Sequence, residues 1–194
     1  LCDSFQWMDE EGPRSSTESV VTISPISVGS TLTEFYYAWG NFANDCAELA
    51  RRIEATGGLP DIIVGIARGG WFPAAQLAML FGEDAPLSLR SLHLASYRKE
   101  RTAGTVGVIH DGLRTFSSEQ SVLLVDDVCD TGASLTKALE LLKDSGAVFV
   151  RTAVLIHKPT KTVTGLIPDF WIHETDRWII YPWEYEQWPG QRRR

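Results

Sequence analysis

Residues 122–135 read VLLVDDVCDTGASL. The four apolar residues Val122, Leu123, Leu124 and Val125 suit a short strand covered on both faces. Leu135, Ala138, Leu139 and Leu142 then recur on one helical face, with Gly146 just past its end. The stretch between leaves a buried strand and enters a helix, so the amides of residues 131–135 are unpaired donors at the positive end of a helix dipole. Gly132 permits close backbone approach, and Thr131 and Ser134 add hydroxyls, which makes a cradle of phosphate size. Just before it stand three carboxylates, Asp126, Asp127 and Asp130, more than helix capping requires. Bare carboxylates beside a phosphate repel it, so they need sugar hydroxyls or a hard cation such as magnesium to hold. Phosphate at one end and acceptors for vicinal diols beside it describe a ribose 5-phosphate.

Working outward, residues 61–67 (DIIVGIA) form another almost wholly apolar run, broken by Arg68-Gly69-Gly70, and residues 72–81 read as a helix. Residues 86–96 are strand-like, 98–104 a polar charged loop, and 105–110 extended. Residues 148–156 make a third core strand, and residues 170–172 and 178–181 are two short extended pieces near the end. Upstream, Phe35, Trp39, Phe42, Cys46, Leu49 and Ile53 fall at three- and four-residue steps, which predicts a helix from near Thr31 to the Gly57-Gly58 pair. Residues 1–30, rich in Ser, Thr, Glu, Gly and Pro, read as a loosely ordered lead-in, and Arg192-Arg193-Arg194 as a solvated basic tail. Alternating strand and helix predicts an α/β fold, a Rossmann-like parallel sheet flanked by helices. Ligands of such sheets sit beyond the carboxyl ends of the strands, which directs attention to the loops at 68–70 and 126–134.

The chain has 194 residues, 44% hydrophobic and 22% charged, with 18 basic against 25 acidic residues and a net charge of −7. This argues for a single folded domain and against gripping a nucleic-acid backbone. Cys2, Cys46 and Cys129 lie far apart with no metal-ligand spacing, as expected of reduced thiols in a cytoplasmic protein. No apolar run approaches membrane-spanning length, and residues 1–6 lack the basic start and apolar stretch of a secretory signal. We therefore expect a cytoplasmic protein with neither membrane nor nucleic acid as partner.

The string at 122–135 closely resembles the phosphoribosyl pyrophosphate signature of type I phosphoribosyltransferases: an apolar strand, two acidic residues, two spacers, then Asp-Thr-Gly and a small hydroxyl residue. The resemblance extends over residues 61–187. VGIARGG at 64–70 resembles the family's pyrophosphate loop, and Ser96-Tyr97 with the charged stretch after it resembles its mobile lid. His157-Lys158-Pro159 and DRWIIYPWE at 176–184 resemble the base-binding segments of the 6-oxopurine branch, nearest the xanthine-guanine and archaeal-type hypoxanthine-guanine enzymes.

The resemblance implies a type I phosphoribosyltransferase fold over residues 31–190, with a small C-terminal base-binding hood at about 158–188. It also implies purine salvage, with transfer of the phosphoribosyl group from phosphoribosyl pyrophosphate to hypoxanthine, guanine or xanthine, by a homo-oligomeric enzyme using magnesium. Arg68 and Gly69 would meet the leaving pyrophosphate, and Asp126 and Asp127 the ribose hydroxyls and Mg2+. Thr131, Gly132, Ala133, Ser134 and Leu135 would cradle the 5-phosphate. Asp130 would be the catalytic residue that takes or steers the N7 proton. Ser96 and Tyr97 would open the lid. Lys158, following a core strand, offers an ammonium that must meet an acceptor, and the 6-oxo group supplies one. Trp178 would stack on the base, with Phe170 as the competing aromatic, and the Ile179 carbonyl and Glu184 would meet a 2-amino group. Glu184 stands where relatives often carry Asp. A sensor of phosphoribosyl pyrophosphate, regulatory or RNA-binding, is the alternative on the same fold. A phosphatase with a catalytic Asp-x-Asp leaves the Thr-Gly cradle unexplained.

Overall fold

The computed structural model describes residues 33–56, 58–82, 87–97, 105–113 and 115–184, with only the backbone at 95–97, 105, 110 and 111. The chain divides into Leu1–Ser30 and Thr31–Arg194, and every described residue belongs to the second unit. The lead-in, the charged loop at 98–104, the hood beyond 184 and the basic tail lie outside the described residues.

Chain order is β1 (Glu34–Tyr36), α1 (Trp39–Ala55), β2 (Ile62–Ala67), α2 (Trp71–Phe81), β3 (Ser88–Tyr97), β4 (Thr105–Asp111), β5 (Ser121–Cys129), α3 (Ala133–Asp144), β6 (Phe149–His157), β7 (His173–Glu174) and β8 (Trp178–Ile180). Six strands form one sheet in the order β4-β3-β2-β5-β6-β7. All its pairings are parallel except β3 with β4, which makes the sheet mixed at one edge. The apolar runs seen in the sequence are its middle: Ile62, Ile63, Val64, Val122, Leu123, Leu124 and Val125 are all buried. Helices α1 and α2 cover one face, through Phe42, Leu49, Ile53 and Leu77 packed with Ile63, Leu123 and Leu155. Helix α3 covers the other, through Leu135, Ala138 and Leu142 packed with Val64, Leu124 and Val154.

Strands β2 and β5 are central neighbours whose crossovers depart in opposite directions, β2 to β3 and β5 to β6. The strand order therefore reverses between them, and the two loops singled out in the sequence meet there.

One element departs from the expected pattern. Phe35 is not on a helix: residues 34–36 are a strand in parallel pairing with β8, and α1 begins only at Trp39. Phe35 continues the helical spacing by coincidence, and its side chain packs against the α1–α2 core from the strand. The helix stops at Ala55, capped by Thr56, whose hydroxyl donates to the Ile53 carbonyl at 2.7 Å. Near the end of the chain, Phe170 bridges Ala153, while the strand beyond it is His173–Glu174.

Candidate active site

A cavity of about 400 Å3 opens at the switch point, lined by residues 66–69 on one side and 126–135 on the other, with Leu94. It brings together Arg68, Gly69, Asp126, Asp127 and 130–135 from the sequence reading. The Ala67–Arg68 peptide is cis. Gly69 and Gly70 are both required by proximity. A Cβ on Gly69 would run into the Asp127 carboxylate, and one on Gly70 would lie 2.6 Å from the Asp126 Cα and 2.7 Å from the Val125 carbonyl. The two loops thus touch backbone to backbone.

The acid pair is crowded. Asp126 is buried and its Oδ1 accepts the Asp127 N–H at 3.0 Å. Burial and then the charge of Asp127 hold the Asp126 carboxyl well above the ordinary carboxylate range. Burial pushes Asp127 up to about 6; hydrogen bonding to Asp126 opposes this, and the charge of Glu184 adds to it. Like charges gathered out of water call for a cation or for hydroxyl donors.

Residues 131–135 lead from β5 into α3 and line the cavity. Gly132, at φ +81°, occupies the N-cap position of α3 and has no side chain to cap the first turn. The Ala133 N–H reaches the Thr131 hydroxyl only at 3.4 Å, and the Thr136 N–H closes the first helical bond on the Gly132 carbonyl at 2.9 Å. Donors of the first turn thus face the cavity. A loop unnoticed in the sequence backs this cradle: the Val163 N–H donates to the Thr131 carbonyl at 3.0 Å, and a Cβ on Gly132 would strike the Thr164 hydroxyl.

Lys158 corrects the reading that its ammonium waits unpaired. Its side chain is 3% exposed, and its Nζ lies 3.3 Å from Asp130 Oδ2. Its N–H donates to the Cys129 carbonyl at 2.9 Å, which fixes β6 beside the signature loop. Asp130, 41% exposed, keeps its other oxygen, Oδ1, buried with no protein partner. The Trp178 ring centroid stands 5.8 Å from Lys158 Nζ, and Trp178 is 48% exposed. Phe170, the competing aromatic, instead packs toward the core and under Arg151.

Ile179 is buried in β8 against Phe35. Glu184 closes the turn after β8. Its Oε2 turns back to the Tyr181 N–H at 3.4 Å, so its charge falls on Asp127. The Tyr181 hydroxyl, also unforeseen, donates to the Asp127 carbonyl at 3.0 Å. Its one sequence signal was its place inside the WIIYPWE string. Ser96 and Tyr97 close β3, and their side chains lie outside the described residues.

The fold is thus that of an α/β protein whose sheet carries, at its switch point, an acid pair and an uncapped helix start of phosphate size. Residues 33–187 match the phosphoribosyl transferase domain, and the chain belongs to that family. It is similar to the hypoxanthine-guanine phosphoribosyltransferase of Canis lupus familiaris, 27% identical over 175 residues, 84% of this chain and 80% of the relative. The Homo sapiens counterpart is 30% identical over 106 residues, 53% of this chain, which spans about half (48%) of that relative. A purine phosphoribosyltransferase from Pyrococcus horikoshii superposes with a TM-score of 0.70 at 28% identity, over 84% of this chain and all of the other. A xanthine-guanine-hypoxanthine phosphoribosyltransferase from Helicobacter pylori shares the fold, with a TM-score of 0.63 at 22% identity, over 79% and 93%. Among the described residues no helix is long and apolar enough to cross a membrane.

Proposed function

We propose that this chain transfers the 5-phosphoribosyl group of phosphoribosyl pyrophosphate to a 6-oxopurine, releasing pyrophosphate. The observation that carries the reading is the pairing of the buried Lys158, near Trp178, with Asp130, which itself lines the acid-and-phosphate cavity. The first turn of α3, with Thr131 and Ser134, anchors the 5-phosphate. Asp126 and Asp127 hold the ribose hydroxyls. Arg68 and the Gly69 amide receive the leaving pyrophosphate. Displacement at the anomeric carbon passes through an oxocarbenium-like state, as glycoside chemistry does, and carboxylates near the sugar favour that positive charge. Asp130 steers the purine N7 proton. Lys158 donates to the 6-oxo oxygen, and Trp178 stacks on the ring, worth about 1–3 kcal/mol per base.

The donor set fits magnesium. Among the described residues no three His, Cys, Asp or Glu side chains converge on a point. A hard cation that brings phosphate oxygens and water needs only one or two carboxylates, and the crowded Asp126–Asp127 pair offers them. When bound there, Mg2+ neutralises charge on the leaving pyrophosphate.

The test is an assay of the full chain with phosphoribosyl pyrophosphate, Mg2+ and each nucleobase in turn. Nucleotide and pyrophosphate should form in equal amounts with hypoxanthine or guanine. Absence of nucleotide with hypoxanthine, guanine and xanthine alike overturns the reading.

A further inference from the structure

Trp178 and Ile179, the residues of β8 that the base reading uses, do not belong to the main sheet. Among the described residues their strand pairs only with β1, in a two-stranded parallel ribbon of three residues a side. A ribbon that short is not stable alone, so its position must come from side chains that tie it to the body.

One tie is the Tyr181 hydroxyl bond to the Asp127 carbonyl, and a second runs through Asp45. Tyr37 follows β1 and extends the ribbon, its N–H donating to the Ile180 carbonyl at 3.0 Å. Its ring is 1% exposed and meets Tyr181 edge-on at 5.5 Å. Its hydroxyl donates to Asp45 Oδ2, on α1, at 2.6 Å. The same oxygen lies 2.7 Å from Nε2 of His173, on β7. Strand β7 pairs with Ile156 and His157 of β6, directly before Lys158. One carboxylate, its side chain 14% exposed, thus joins the ribbon that carries Trp178 to the strand edge that carries Lys158. Asp45 is not among the residues lining the cavity.

We propose that Asp45 is a positioning residue for the base, setting the distance between Trp178 and Lys158 through Tyr37 and His173. This rests on the base reading given above. A displacement near 1 Å between two groups that grip one ring costs on the order of 100-fold in the productive geometry, so loss of the tie should be felt first in the base. Binding of phosphoribosyl pyrophosphate, held by α3 and the loops of β2 and β5, should not respond.

The experiment compares Asp45→Ala, Tyr37→Phe and, as a core truncation on the same helix, Ile53→Val. In Asp45→Ala the KM for hypoxanthine should rise about tenfold or more. The dissociation constant for phosphoribosyl pyrophosphate should stay within about twofold of the unmodified chain. Tyr37→Phe should give a smaller rise in the same direction, and Ile53→Val none. In Asp45→Ala, amide exchange at 178–180 should accelerate while that at 122–125 does not, a readout independent of turnover. An unchanged KM in Asp45→Ala, or an equal rise in Ile53→Val, overturns the proposal. If Asp45→Ala does not fold, Tyr37→Phe decides by the same criteria. If the unmodified chain turns over no 6-oxopurine, the base reading fails instead, and the exchange data alone decide whether Asp45 holds the ribbon.

Discussion

Asp127 concentrates the tension between stability and chemistry. Its carboxylate rests against Gly69 and shares its surroundings with Asp126 and Glu184, so a negative charge there is disfavoured until ligand arrives. A carboxyl whose folded value is about 6, above its ordinary 3.8, stabilises the fold fully when protonated, below about pH 4, and that contribution is lost as pH rises through 6. The ligand-free chain should therefore gain stability as pH falls from 7 toward 5, and Asp126 adds in the same sense. Asp127→Asn removes the charge and keeps the shape. It should raise ligand-free stability at pH 7 by about 1–3 kcal/mol, flatten the dependence between pH 5 and 7, and still lose most turnover. Melts across that range, with and without magnesium and phosphoribosyl pyrophosphate, check this; an unchanged slope sinks the crowded-pair account. The three aspartates were legible in the sequence because three carboxylates at a strand exit exceed what capping needs. That Lys158 and Asp130 neutralise each other was not, since 28 positions separate them and only the register of β5 with β6 joins them.

At the scale of elements, legibility followed locality. Strands β2 and β6 and helices α2 and α3 stand within a residue or two of their apolar runs, whereas β5 runs on to Cys129, so that Asp126 and Asp127, expected in a loop, lie on the strand. Strand β1 was not legible. Its three residues prolong the α1 stripe, and their partner lies more than 140 positions onward in β8, which no local period reports. The packing of the two catalytic loops is likewise a contact between elements. Gly70 has φ −65°, a conformation any residue adopts, so glycine stands there for space alone. Gly70→Ala should push the pyrophosphate loop off β5, because the atoms it meets are backbone and cannot swing aside. We expect a loss of about 1–3 kcal/mol in stability and roughly 100-fold in kcat/KM. Gly40→Ala, on α1 with nothing within 4 Å, serves as the control and should leave both unchanged or raise stability slightly. Equal behaviour of the two variants in melts and turnover would show that the close approach has no consequence.

Base choice belongs to the whole molecule, because no one element holds the base. The cation comes from the end of β6, its counter-charge from the signature loop and the flat ring from the ribbon. The pairing of Lys158 with Asp130 changes how selectivity arises. An unpaired buried ammonium would be stranded by adenine at large cost, whereas this ammonium can fall back on Asp130. Discrimination then comes from the missing acceptor. Lys158 is donor-only, so it bonds a 6-oxo oxygen and meets the 6-amino group of adenine donor against donor. The 6-amino group of adenine, a donor left without an acceptor, costs about 1–3 kcal/mol, which places adenine roughly 10- to 100-fold below hypoxanthine in kcat/KM. The stacking face of Trp178 cannot supply this difference, since every purine presents a similar ring. Lys158→Met keeps most of the buried stem and removes the donor, so it should bring hypoxanthine down to the level of adenine. It also leaves Asp130 without its cation, and turnover with every base should fall. Competition between adenine and hypoxanthine for the two proteins measures the ratio directly. A preference for hypoxanthine that survives Lys158→Met would move the origin of selectivity to the ribbon, where Ile179 and the turn to Glu184 are the groups left to provide it.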